Sequence, residues 1–141
     1  MNGQNGNLTF ELWDKFSRAY DKIKKMQTKH IFEKNLTAPQ YSVLETLYKN
    51  GPMPLKKISE ELMVTGANIT CVVDNLEKED YVKRVHSRDD RRVINAELTE
   101  KGKIKVTQIY PEYSNHLHRM ISILSEEEQN HLVRMLEKLN A

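Results

Sequence analysis

The residues best suited to chemistry are concentrated in a short charged segment between positions 83 and 92. Five basic residues and two acidic ones lie in it: Lys83, Arg84, Arg88, Arg91, Arg92, Asp89 and Asp90. An arginine at the tip of a turn can enter the minor groove of DNA, where a narrow groove strengthens the negative potential. An isolated RDDRR turn is usually only a solvated loop, so its interpretation depends on the elements that precede it.

A helix with a small, polar face is predicted directly before this segment. Thr65 is placed to cap it. Its buried face is predicted to consist of Ile69, Val72, Val73 and Leu76. The opposite face begins with residues that suit a close approach to a base edge, namely Gly66, Ala67, Asn68 and Thr70. Because a helix N-terminus also favours a phosphate, the pattern indicates a DNA-reading helix.

The neighbouring elements complete a module that could hold this helix and the charged segment together. Apolar spacing at Leu55, Ile58 and Leu62 predicts a preceding helix, which makes a helix-turn-helix. Residues 81–85 and 93–98 alternate in polarity, which predicts two strands joined by the charged turn. Residues 37–98 are therefore predicted to form a winged helix-turn-helix, with the basic turn as its wing.

Long helices are predicted on both sides of this module, at 8–33 and 99–141, and residues 1–7 are expected to be frayed. Thr37 and Ser125 are predicted to cap helices through capping boxes, and Thr99 to cap the helix after the wing. Pro111 predicts a kink or a break near Tyr110. The first helix needs a large surface to pack on, and a partner subunit is one source. The predicted fold is mainly α with a small β-hairpin wing, flanked by dimerisation helices.

Length and composition limit the other readings. A chain of 141 residues is long enough for one domain with a core, so residues 1–141 are expected to form one domain. Neither a membrane-spanning run nor a secretory signal is found, so a cytoplasmic protein without a membrane partner is expected. No catalytic motif is present, so we expect neither an enzyme nor a cofactor. The five histidines are scattered, and no metal site is expected.

The chain resembles the MarR family of transcriptional regulators. The resemblance is carried by LKKISEELMVTGANITCVVDNLEKEDYVKR, by the wing SRDDRR, and by LTEKG at 98–102. It covers nearly the whole chain. The segment LTEKGKIKVTQIYPEYSNHL looks closest to members that respond to oxidants, quinones or other electrophiles.

The resemblance implies a homodimer that binds a pseudo-palindromic operator in double-stranded DNA, and commonly a repressor released by a small molecule or an oxidant. Asp90 would orient an arginine, and Arg92 would contact the groove. The predicted DNA-binding residues are Thr65, Gly66, Ala67, Asn68, Thr70, Arg84, Arg88, Asp90, Arg91 and Arg92. The alternative is a winged module that binds another protein without an operator, but such a wing should expose apolar side chains.

Two further predictions concern regulation. A small-molecule effector is predicted to contact Trp13, Phe16, Tyr20, His30 and Tyr41. Cys71, the single cysteine, is a candidate redox residue. Against that role, oxidation-sensing relatives carry their cysteine near the N-terminal helices, and residues 1–36 contain none. A small, partly buried side chain is the simpler expectation for Cys71.

Overall fold

The structure is a computed structural model that describes the backbone of residues 2–141 and the side chains of residues 6–141. In chain order its elements are α1 (Asn2–Phe32), α2 (Ala38–Asn50), β1 (Met53–Pro54), α3 (Leu55–Glu61), α4 (Gly66–Lys78), β2 (Val82–His86), β3 (Ile94–Leu98), α5 (Glu100–Ile121) and α6 (Glu126–Asn140). This confirms a mainly helical fold with a small wing. None of the described helices is long and apolar enough to cross a bilayer.

Local capping signals set several helix starts. The Thr37 side chain accepts a hydrogen bond from the Gln40 N–H, and the Gln40 side chain accepts one from the Thr37 N–H, as a capping box requires. Ser125 and Glu128 form the same reciprocal pair at the start of α6. The predicted caps at both positions are therefore confirmed.

One prediction about helix extent was wrong. Residues 2–7 are part of α1 and not frayed, while Met1 lies outside the described residues. Of the kink or break predicted near Tyr110, the break is absent, since α5 continues through Pro111. Proline removes a single backbone donor, and the helical residues on both sides maintain the remaining hydrogen bonds.

The sheet has one strand more than predicted. β2 and β3 pair antiparallel, with Val82 opposite Leu98, which is the predicted hairpin. β1 pairs with the other edge of β3, with Met53 opposite Ala96, so the strand order is β1-β3-β2. The small Ala96 side chain is completely buried in the central strand. The wing is therefore attached to the segment that leads into α3.

The chain divides into two compact units, one formed by residues 27–110 and the other by residues 1–26 and 111–141. The first holds the core, which includes the fully buried side chains Leu44, Ile58, Ile69, Leu76 and Ile109. Within the second, no described side chain is buried. The second unit instead exposes large apolar residues, among them Leu12, Trp13 and Leu139.

Candidate nucleic-acid interface

The residues predicted to read DNA lie at the start of α4. Thr65 caps the helix, because its hydroxyl oxygen accepts from the Asn68 N–H at 3.2 Å. Gly66, Ala67, Asn68 and Thr70 are all exposed. The Thr70 hydroxyl donates to the Gly66 carbonyl at 2.9 Å, so its proton is engaged within the helix. Thr70 therefore offers a methyl group and acceptor lone pairs, whereas Asn68 offers both a donor and an acceptor.

The wing tip is held by short-range hydrogen bonds. The Ser87 N–H donates to the Val93 carbonyl at 2.9 Å, and the Val93 N–H donates to the Asp90 carbonyl at 3.0 Å. The Arg91 carbonyl lies 2.9 Å from His86 Nδ1. Arg88, Arg91 and Arg92 are exposed on this turn. The turn thus has a defined backbone while its arginines remain accessible.

Asp90 and Arg92 form a bidentate pair at the tip. Arg92 Nε donates to one carboxylate oxygen at 3.1 Å and Arg92 Nη2 to the other at 3.2 Å, while the Arg92 N–H also donates at 3.0 Å. These bonds hold the pKa of Asp90 below its ordinary value, the side-chain bond being the larger cause. The Arg92 side chain remains 91% exposed. Asp90 therefore orients Arg92, and the remaining guanidinium donors face solvent.

Arg84 differs from the other predicted DNA-binding arginines. Its side chain is only 24% exposed and forms ion pairs with Asp74 and with Glu77 of α4. Its Nη2 atom also donates to the Thr70 carbonyl at 3.4 Å. The sequence does not reveal this arrangement, because it depends on how β2 lies against α4. The guanidinium of Arg84 is therefore engaged by carboxylates of α4 and largely covered.

The LTEKG segment holds the turn between α4 and β2. Thr99 caps α5, as predicted, because its hydroxyl oxygen accepts from the Gly102 N–H at 3.0 Å, and the same hydroxyl donates to the Asp80 carbonyl at 2.6 Å. The Lys101 ammonium group donates to the Glu79 carbonyl at 2.9 Å. Gly102 lies so close to Tyr81 that a Cβ atom added to it would lie 2.1 Å from the Tyr81 carbonyl oxygen. The motif therefore positions α4 and the wing.

The residues predicted for regulation are spread over the chain. Cys71 is exposed on α4, so the expectation of a partly buried side chain was wrong. Trp13, Phe16 and Tyr20 lie exposed on α1 in the unit of residues 1–26 and 111–141, where Trp13 and Phe16 stack with ring centroids 6.2 Å apart. His30 and Tyr41 are buried in the unit of residues 27–110.

A helix-turn-helix followed by a hairpin with exposed arginines at its tip defines a winged helix-turn-helix DNA-binding protein. A model of the MarR family matches residues 36–94. The HTH-type transcriptional regulator MhqR of Bacillus subtilis (strain 168) is 37% identical over 131 residues, covering 93% of this chain and 90% of that protein. The HTH-type transcriptional repressor MdtR of the same organism is 30% identical over 120 residues, covering 85% and 77% respectively.

Comparison with solved structures finds the same fold in a member of the same family. The crystal structure of AbsC, a MarR family transcriptional regulator from Streptomyces coelicolor, superposes with a TM-score of 0.86 at 20% identity, covering 92% of this chain and 89% of that one. The chain belongs to the MarR family of DNA-binding transcriptional regulators.

Proposed function

We propose that this regulator is a homodimeric repressor that binds a pseudo-palindromic operator and is released by a small molecule or an electrophile. The Asp90–Arg92 pair carries the DNA-binding part of the proposal. An exposed guanidinium held by a bidentate carboxylate is preorganised, so it loses little conformational freedom when it enters a minor groove. Asn68 and Thr70 at the start of α4 supply the base-edge contacts, and Thr65, Gly66 and Ala67 let the backbone approach the phosphates.

A second copy of the chain is the proposed partner of the terminal helices. Residues 6–26 and 111–141 bury none of their described side chains, although they form a compact helical unit. Between α1 and α6 of this unit lies an open apolar groove of about 390 Å³, lined in part by Leu12, Trp13 and Leu132. Helices gain most of their stability by burying such a face, so this surface suits a symmetric dimer.

The effector is proposed only by class, as a small aromatic molecule or an electrophile that acts in the cytoplasm. Trp13, Phe16, Tyr20, His30 and Tyr41 remain the predicted contact residues. Trp13, Phe16 and Tyr20 lie on α1 and bring aromatic side chains that suit such a ligand.

Arg92→Ala tests the wing. We expect operator affinity to fall by about 1–3 kcal/mol while the dimer stays intact, because a groove contact is removed from an exposed position. The probe is the duplex that the wild-type protein recovers from a random-sequence pool, in a gel-shift assay at fixed salt. Arg18→Ala is a matched control, since Arg18 is also exposed and its Nε lies 3.0 Å from Asp14 on α1. Equal affinities for the two variants would contradict the wing assignment.

Leu132→Glu tests the dimer. We expect this variant to sediment as a monomer, because a buried carboxylate in the interface would lack a partner. Asn130→Glu is the control, since Asn130 is exposed on the same helix and its replacement introduces the same charge. A wild-type monomer at micromolar concentration, or a dimeric Leu132→Glu variant, would contradict this assignment of the interface.

A further inference from the structure

Arg84 connects β2 to one face of α4 through both its side chain and its backbone. Its guanidinium pairs with Asp74 through Nη2 and with Glu77 through Nη1, the latter at 3.4 Å. Nη2 also donates to the Thr70 carbonyl at 3.4 Å. The Arg84 backbone N–H donates to the second carboxylate oxygen of Glu77 at 3.2 Å. Arg84 therefore contacts three residues of the helix.

The three acceptors lie along a single face of α4. Thr70, Asp74 and Glu77 are spaced by four and then three residues, which places them on successive turns of one side of a helix. A planar guanidinium with donors fixed in a fork can satisfy several acceptors only in a narrow range of orientations. The contacts therefore fix the rotation of α4 about its axis relative to β2.

The charge balance separates Arg84 from the arginines of the wing tip. Two carboxylates accompany its single positive charge, so the cluster as a whole does not attract a phosphate. Its side chain is 24% exposed, against 91% for Arg92.

We propose that Arg84 is a positioning residue, which holds the reading face of α4 at the angle that lets Asn68 reach the groove while the wing is bound. This role of Arg84 rests on the operator binding proposed above. Thr70 shows the connection most directly, since its side chain is exposed on the reading face while its carbonyl accepts from Arg84. Loss of Arg84 should therefore reduce sequence selectivity more than general affinity for DNA.

The first experiment compares Arg84→Met with Arg88→Met, which removes an exposed wing arginine. Affinities are measured for the duplex recovered by the wild-type protein and for a scrambled duplex, over a range of salt concentrations. For Arg84→Met we expect the ratio of the two affinities to fall about tenfold or more, equivalent to about 1.4 kcal/mol. The slope of log affinity against log salt on the scrambled duplex should stay at the wild-type value. A phosphate contact would instead lower that slope by about 0.9.

A second variant keeps Arg84 and removes its carboxylate partners, through Asp74→Asn with Glu77→Gln. If Arg84 is a positioning residue, this variant should also lose selectivity. If Arg84 contacts DNA directly, removing two negative charges should strengthen binding and leave the selectivity ratio unchanged. That result, or a slope reduced as for a phosphate contact in Arg84→Met, would overturn the proposal. Failure of the wild-type protein to select any duplex would instead refute operator binding itself.

Discussion

Gly102→Ala examines whether the contact between α5 and the turn after α4 is as close as the structure indicates. A Cβ atom on Gly102 would lie 2.1 Å from the Tyr81 carbonyl oxygen, 3.0 Å from the Tyr81 carbonyl carbon and 3.2 Å from a methyl carbon of Leu98. The two nearest atoms belong to the backbone, so the clash cannot be relieved by rotating a side chain. Either α5 or the turn must move.

Three effects determine how far Gly102→Ala lowers the free energy of unfolding. Overpacking in a close-packed region costs about 1–3 kcal/mol, and a backbone clash belongs at the upper end. Moving the Tyr81 carbonyl also disturbs the 3.1 Å hydrogen bond that it accepts from the Thr99 N–H, worth about 1 kcal/mol. Alanine is favoured over glycine within a helix by about 1 kcal/mol, which offsets part of the cost. We expect the free energy of unfolding to fall by about 2–3 kcal/mol.

Urea denaturation followed by circular dichroism measures the free energy of unfolding, with all variants at one protein concentration because the proposed dimer would contribute to stability. Gly66→Ala is the matched control, since a Cβ atom on Gly66, also in a helix, meets nothing within 4 Å. That control should keep or slightly raise the wild-type stability. If Gly102→Ala lowers the free energy of unfolding no more than Gly66→Ala does, α5 does not lie as close to Tyr81 as the structure indicates.

Two further predictions concern the interface itself. The hydrogen bonds from Arg92 lower the pKa of Asp90, so the pair stabilises the wing above the ordinary titration range of aspartate and is lost only as the pH falls through the lowered pKa. A carbon-13 NMR titration of the Asp90 carboxyl should therefore give a higher midpoint in Arg92→Met than in the wild-type protein. An unchanged midpoint would contradict the pairing. Cys71 is exposed on α4, the proposed reading helix, so iodoacetamide should alkylate it in the free protein and more slowly in the operator complex. Equal alkylation rates would show that the operator does not cover Cys71.

The parts of the fold that the sequence predicted correctly depend on local interactions. The caps at Thr37, Thr65 and Ser125 each join residues three positions apart, so the residue types alone indicate them. The hairpin likewise follows from alternation within a few residues of one turn.

The features that the sequence did not predict arise from contacts between distant segments. β1 consists of two residues, and it exists because Met53 pairs with Ala96, 43 positions away. The Arg84 cluster joins residues 7 to 14 positions apart across two elements. No periodicity marks either feature, since the partner of each residue is set only when the elements pack.

The division of charge within the module has a consequence for how it would bind DNA. No lysine or arginine occurs in α4 before Lys78, and the nearby Arg84 is balanced by carboxylates of the same helix. The exposed positive charge of the module's hairpin tip therefore comes from Arg88, Arg91 and Arg92. Because salt weakens phosphate contacts, a higher salt concentration should reduce the affinities for specific and nonspecific DNA by similar factors. The selectivity proposed for α4 would depend on hydrogen bonding and fit, so we expect it to persist at salt concentrations that weaken the proposed phosphate contacts of the wing.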